Sequence, residues 1–116
     1  MQRQVLHGKI HGAFVTEARV DYQGSITIDS NLLEAADIVP GEKVLIANIT
    51  NGARLESYAM LGEAGSKVIC LNGGAAKHGE IGDQLIIMAF AVMSDEEIKK
   101  HQPKVVRVNQ RNEIIK

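Results

Sequence analysis

The sequence predicts one small, mainly β domain: a compact barrel carrying short helices. Three observations carry that expectation. Most segments alternate apolar and polar residues with period two, the pattern of half-buried strands. Turn pairs such as Pro40-Gly41, Asn51-Gly52 and Gly73-Gly74 punctuate them at short intervals. Finally, Gly41-Glu42-Lys43-Val44-Leu45-Ile46 is echoed 41 residues later by Gly82-Asp83-Gln84-Leu85-Ile86-Ile87. Each copy follows a short helical stretch and opens an apolar strand. Two copies suggest a barrel with internal pseudo-twofold symmetry, closed so that no strand edge is left open.

The bulk numbers agree. A chain of 116 residues suits a single domain with one modest core. With 45% hydrophobic and only 3% aromatic residues, that core is aliphatic. A net charge of −1 argues against nucleic acid or an anionic membrane as the main partner. No apolar run approaches membrane-spanning length, and Met1-Gln2-Arg3-Gln4 does not begin a signal peptide, so a soluble cytoplasmic protein is expected. The single cysteine, Cys70, sits in Val68-Ile69-Cys70-Leu71 and reads as a buried, inert thiol.

In chain order, residues 5–11 form a first strand, with His7, Lys9 and His11 on one face and Leu6, Gly8 and Ile10 on the other. His7 and His11 have helical rather than strand ligand spacing and no third ligand nearby, so they read as solvated or hydrogen-bonded rather than as a metal pair. Residues 14–22 read as a second strand and 24–29 as a third. Gly24 is free to take positive φ, and Ile26, Thr27 and Ile28 suit a pleated strand. Asp29 or Ser30 caps a short helix, 31–36. A strand at 43–49 meets the Asn51-Gly52 hairpin turn, and 53–61 returns antiparallel with Arg54, Glu56, Tyr58 and Met60 on one face. After a loop at 62–66 and a strand at 67–71, Asn72-Gly73-Gly74 breaks the pattern and 75–78 makes one helical turn. A long apolar strand, 84–92, follows. Ser94 with Glu97 forms a capping box for a helix to about His101, which Pro103 ends. Strands at 104–108 and 113–115 flank a turn at 109–112, a tail expected to pack on a neighbouring subunit.

The centre of chemical interest is Tyr22-Gln23-Gly24-Ser25-Ile26-Thr27-Ile28-Asp29. Alone, Gly24-Ser25 is an ordinary turn entering a strand. Together with Lys9, Thr50-Asn51-Gly52 followed by Arg54, Ser57-Tyr58 and Asn72-Gly73, it resembles the bacterial aspartate 1-decarboxylase family, from about Leu6 to Val108. The resemblance implies a double-psi β-barrel and a homotetramer with sites between subunits. It also implies that L-aspartate is decarboxylated to β-alanine for pantothenate and coenzyme A synthesis.

Decarboxylating an amino acid requires an electron sink, which ordinary side chains do not supply. No lysine here sits in a recognisable pyridoxal-phosphate setting, and no metal is called for. The resemblance implies a pyruvoyl group made from Ser25 by self-cleavage at Gly24-Ser25, its carbonyl condensing with the substrate amine. Ser57 then donates to the Gly24 carbonyl during processing, although the family usually has threonine there. Tyr58 donates the proton that replaces the carboxylate, and Tyr22 shapes the pocket wall. Lys9 and Arg54, which spacing alone reads as solvated strand charges, meet the two carboxylates of aspartate. Asn72, Gly73, Gly74 and Ala75 form the active-site loop, with glycine at 74 where the family commonly has alanine, and His11 stands at the entrance. Two other readings remain: a pyruvoyl decarboxylase for another amino acid, and a noncatalytic β-barrel binding module.

Overall fold

The computed structural model describes residues 1–115. Nine strands are present among them: β1 Gln2–Phe14, β2 Glu17–Arg19, β3 Ser25–Asp29, β4 Lys43–Asn48, β5 Arg54–Gly62, β6 Ile69–Asn72, β7 Gln84–Ser94, β8 Lys104–Val108 and β9 Ile114–Ile115. Two short α-helices, α1 Ser30–Ala36 and α2 Asp95–Lys100, and a 3₁₀ turn, Gly73–His78, complete the chain.

The strands are ordered β2-β6-β3-β5-β4-β7-β1-β8-β9. Outward from the antiparallel β4–β7 pair, the same sequence of pairings runs in both directions. β5 and β1 join antiparallel, β3 and β8 join those in parallel, and β6 and β9 join antiparallel again. The echoed segment lies at the centre of this symmetry. Ile46 pairs with Ile87, and these are equivalent positions of the echo, so a local twofold axis passes between them.

Both copies make the same turn. Gly41 and Gly82 have φ of 87° and 95°, a region open to glycine at little cost. Their amides donate to Ala59 O and Val15 O, while Ala59 N and Val15 N donate back to Glu42 O and Asp83 O. The Glu42 and Asp83 carboxylates each accept the backbone amide three residues earlier, Val39 and Glu80. The result is the double-psi β-barrel plan of two interlocked halves.

Closure comes from the chain itself. Residues 15 and 16 carry β1, which belongs to one half, into β2, which pairs in parallel with β6 of the other. Thr16 N donates to Ile69 O, and Thr16 Oγ1 accepts from Ile69 N. This explains why 14–22 is not one strand: Phe14 ends β1, the crossing follows, and only Glu17–Arg19 pairs again. β1 is also longer than the alternation suggested, because β7 extends beside it until Gln2 faces Ser94. The Asn51-Gly52 hairpin differs too. Only Gly52 has positive φ, and Asn48 organises a wider loop by accepting Thr50 N and Asn51 N on its side chain. The C-terminal segment belongs to its own barrel: β8 pairs with β1, and buried Asn112 exchanges hydrogen bonds with the Phe14 backbone while donating to Lys67 O.

The core is aliphatic as expected, with Ile10, Ile26, Ile28, Ile46, Leu71, Leu85 and Ile87 fully buried. Cys70 is buried, and burial first, then the neighbouring Glu17 carboxylate, pushes its thiol above the ordinary value. Ser94 and Glu97 form the capping box at α2.

Asp29 caps α1 by accepting Asn31 N and also accepts Gly65 N and Lys67 N, fixing the loop after β5. Burial pushes its carboxyl upward, but the three backbone donors outweigh that and hold it below the ordinary range. A lowered carboxyl stabilises the fold above its unfolded value, and that contribution is lost as pH falls through the folded value. Asp29→Ala is expected to cost about 2–4 kcal/mol at neutral pH, since a cap is lost and buried donors are orphaned. Urea unfolding of parent and variant should show the difference shrinking below pH about 4.

Candidate active site

β3 begins at Ser25, where it meets β6 in register at Asn72, and both residues are buried. The Asn72 amide donates from Nδ2 to Ser25 Oγ at 3.0 Å and to Thr27 Oγ1 at 2.9 Å. Ser25 Oγ in turn donates to Gln23 O at 3.3 Å. The hydroxyl is thus held from both sides before any reaction. Thr27 and Gln23 were not singled out from the sequence. Thr27 was detectable, because residues two apart on a strand share a face.

The positive-φ glycine is a different one from the one expected. Gly24 is outside the positive-φ region, and a Cβ there would meet nothing within 4 Å. Gly73 has φ of 62°, and a Cβ on it would lie 2.6 Å from Gly24 N and Tyr22 O and 2.7 Å from Gly24 Cα. Its lack of a side chain lets the loop after β6 press directly on the Gly24 backbone.

Two open cavities flank this backbone. One, of about 460 Å³, is lined by Tyr22, Gln23, Ser25, Thr27, Tyr58, Met60 and Asn72, among others. The other, of about 410 Å³, is lined by Gly24, Leu55, Ser57, Tyr58, Gly74, Ala75 and His78, among others. Ser25 lines the first and Gly24 the second, and Tyr58 borders both. Ser57 shares a cavity with Gly24, but no hydrogen bond joins them among the described residues. Gly74 is exposed, whereas Gly73 and Ala75 are buried.

Lys9, His11 and Arg54 line neither cavity. In the sheet, β5, β4 and β7 stand between β3 and β1, which carries Lys9 and His11, so one chain does not gather all the residues picked from the sequence. His11 instead lies opposite Arg107 in the parallel β1–β8 pair. Its Nδ1 is buried without a partner, and burial, then Lys9, then Arg107 hold its pKa below the ordinary histidine value. Arg54 is exposed, two pleats from Tyr58 on the same face of β5. Neither Lys9 nor Arg54 forms an ion pair among the described residues. His7 bonds the Glu42 carboxylate at 2.5 Å, the hydrogen-bonded histidine that strand spacing favours.

A family model described as aspartate decarboxylase matches residues 1–115. The aspartate 1-decarboxylase of Listeria monocytogenes is 55% identical over 114 residues, covering 98% of this chain and 90% of that protein. That of Thermoanaerobacter pseudethanolicus is 54% identical over 112 residues, covering 97% and 96%. That of Staphylococcus aureus is 55% identical over 115 residues, covering 99% and 91%. A family match over the whole described chain, and relatives sharing more than half its residues, settle the kinship: the chain belongs to the aspartate decarboxylase family.

Proposed function

We propose that this protein cuts its own backbone between Gly24 and Ser25 and then decarboxylates L-aspartate to β-alanine and carbon dioxide. One observation supports this above the others: a buried serine, anchored by Asn72, lines one cavity while the glycine before it lines another, and the two cavities share one tyrosine.

In the first reaction, Ser25 Oγ adds to the Gly24 carbonyl carbon. The carbon–nitrogen bond breaks, the nitrogen takes the hydroxyl proton, and an ester replaces the amide. Elimination then removes the Ser25 α-proton and breaks the Cβ–Oγ bond. Gly24 leaves as a carboxylate, and residue 25 becomes dehydroalanine. Its imine tautomer reacts with water, releases ammonia and leaves a pyruvoyl group. The peptide is resonance-stabilised, so addition needs a held nucleophile and a donor for the developing oxyanion. Asn72 and Gln23 hold the oxygen, Gly73 packs against Gly24, and Ser57 is the donor after a rotamer change.

The site also fits the product of that cut. Oγ leaves with Gly24, and the new ketone oxygen, taken from water, stands on Cα in place of the nitrogen, so the Asn72 Nδ2 N–H that held the hydroxyl is left as a free donor beside the new group. The pyruvoyl group supplies an electron sink for the bond that loses carbon dioxide. The Tyr58 hydroxyl delivers the replacing proton from the cavity beside residue 25. Arg54 and Lys9 meet the two substrate carboxylates. Because Lys9 is three strands removed from the cut within one chain, a second copy brings it and His11 to the cavity. We therefore assign a homotetramer with sites between subunits, working in the cytoplasm towards pantothenate and coenzyme A.

Intact mass under denaturing conditions should show fragments 1–24 and 25–116, whereas Ser25→Ala stays whole for want of an attacking oxygen. Cleavage of that variant at the same bond would defeat the scheme. Gly73→Ala should slow the cut by about a hundredfold, since its Cβ would displace the backbone at the reacting bond.

Cleaved Tyr58→Phe, with its pyruvoyl content verified, should produce β-alanine roughly two to four powers of ten more slowly. Turnover near the parent rate would assign the proton to water.

Lys9→Ala and Tyr58→Phe should each be poorly active alone. Mixed oligomers from coexpression should regain roughly a quarter of parent activity, because sites that draw both intact residues from different chains reappear. No recovery would place both residues in sites built from one chain.

A further inference from the structure

We propose that Cys70 is a positioning residue for Ser25: its S–H donates to Asn72 Oδ1 and thereby turns the Asn72 amide so that Nδ2 faces Ser25 Oγ. The inference rests on the self-cleavage proposed above and concerns how its nucleophile is aimed.

An asparagine side chain can sit either way round, because its oxygen and nitrogen ends have nearly the same shape. At Asn72 the choice matters. The Ser25 hydroxyl spends its one proton on Gln23 O, so it can only accept from Asn72, and only Nδ2 can give. The opposite end of the amide must then find a donor in a buried place. Cys70 Sγ lies 3.2 Å from Asn72 Oδ1. The two side chains are on the same strand and the same face, as residues two apart must be. With Cys70 giving and Ser25 and Thr27 accepting, the buried amide is satisfied at both ends. Reversing the amide would set its N–H groups against the S–H and its oxygen against a hydroxyl whose proton points elsewhere.

The thiol has other neighbours. Leu71 O is 3.9 Å from Sγ, and the Glu17 carboxylate, whose residue pairs with Cys70 between β2 and β6, raises the thiol's pKa. Asn72 Oδ1, at 3.2 Å, is nearer the sulfur than Leu71 O, and the Glu17 carboxylate, a hydrogen-bonding neighbour as well, is the rival acceptor for the S–H. Burial, with Glu17 adding to it, keeps the sulfur protonated, and a thiol that stays protonated stays a donor.

The test uses freshly made, uncleaved full-length protein. Cys70→Ser keeps a donor and should cleave within about threefold of the parent rate, while Cys70→Ala should be slower by roughly tenfold, the worth of one ordinary hydrogen bond. Cys70→Val fills similar space without donating and should be slow like the alanine variant. Alanine at the parent rate, or slow alanine with valine at the parent rate, overturns the inference; the second result would make the residue a matter of packing. Because Cys70 is the sole cysteine, the infrared S–H stretching band belongs to it alone. In Ser25→Ala, which stays whole, that band should lie below the free-thiol position and move up when Asn72→Ala is added. A band at the free-thiol position, or one that moves with Glu17→Gln and not with Asn72→Ala, overturns the inference. If the parent never cleaves, the self-processing scheme fails, and the band alone decides whether the thiol holds the amide.

Discussion

The candidate site depends on β3 and β6 meeting in register at Ser25 and Asn72. That pairing buries a serine hydroxyl beside an amide and leaves neither free to wander. It also sets where β6 ends. Asn72 is the last strand residue, so Gly73 turns immediately afterwards and comes down on the Gly24 backbone. A shift of β6 by one residue would put Leu71 or Gly73 opposite Ser25 and send the amide to the other face. The register itself is guarded by the core, because Ile26 against Leu71 and Ile28 against Ile69 are buried pairs that such a slip would expose.

The pseudo-twofold frame explains why the site occurs once. Each half supplies an antiparallel outer strand; among the described residues β6 pairs with β3 at four positions and β9 with β8 at two. Among the described residues, only β6 has a further strand, β2, beyond it and a 3₁₀ turn after it. The symmetric part of the molecule makes a stable closed core. The asymmetric additions, laid on one half, bring Gly73 down beside Ser25 of β3 and Asn72 of β6. Tyr58 comes from β5, the strand that joins those additions to the central pair.

Much of the frame was legible in the sequence because it follows from local chemistry. The echo marked the axis, Asp29 and Ser94 marked helix starts, and alternation placed β3 to β8 within a few residues. What local chemistry could not show was the route of residues 14–22, since the crossing at Val15 and Thr16 is fixed by distant partners at Asp83 and Ile69. The hairpin was misjudged for a similar reason: Asn48 reaches forward to reshape the loop, which Asn51-Gly52 alone would have made tight. At the site, Gly24-Ser25 is unremarkable as a dipeptide, and its weight came from family resemblance. Freedom for positive φ was read at Gly24, but the need for glycine falls on Gly73, whose neighbours are dozens of residues away in sequence. Lys9 and Arg54 line neither cavity beside the Gly24-Ser25 bond, a separation that depends on strand order rather than on spacing.

The threading of β1 through both halves bears on the integrity of a nicked molecule. Gly24 lies after β2 and before β3, outside every ladder, so breaking the bond that follows it cuts through no strand and touches only the first pair of β3, Ser25 with Asn72. The piece ahead of the break would remain clasped between β7 and β8, with its far end tucked against β6. It would behave as a tightly held peptide partner rather than as a departing propeptide. Recovery from full denaturation would then become an encounter between two molecules, slower at high dilution, whereas an unbroken chain reforms in a step indifferent to concentration.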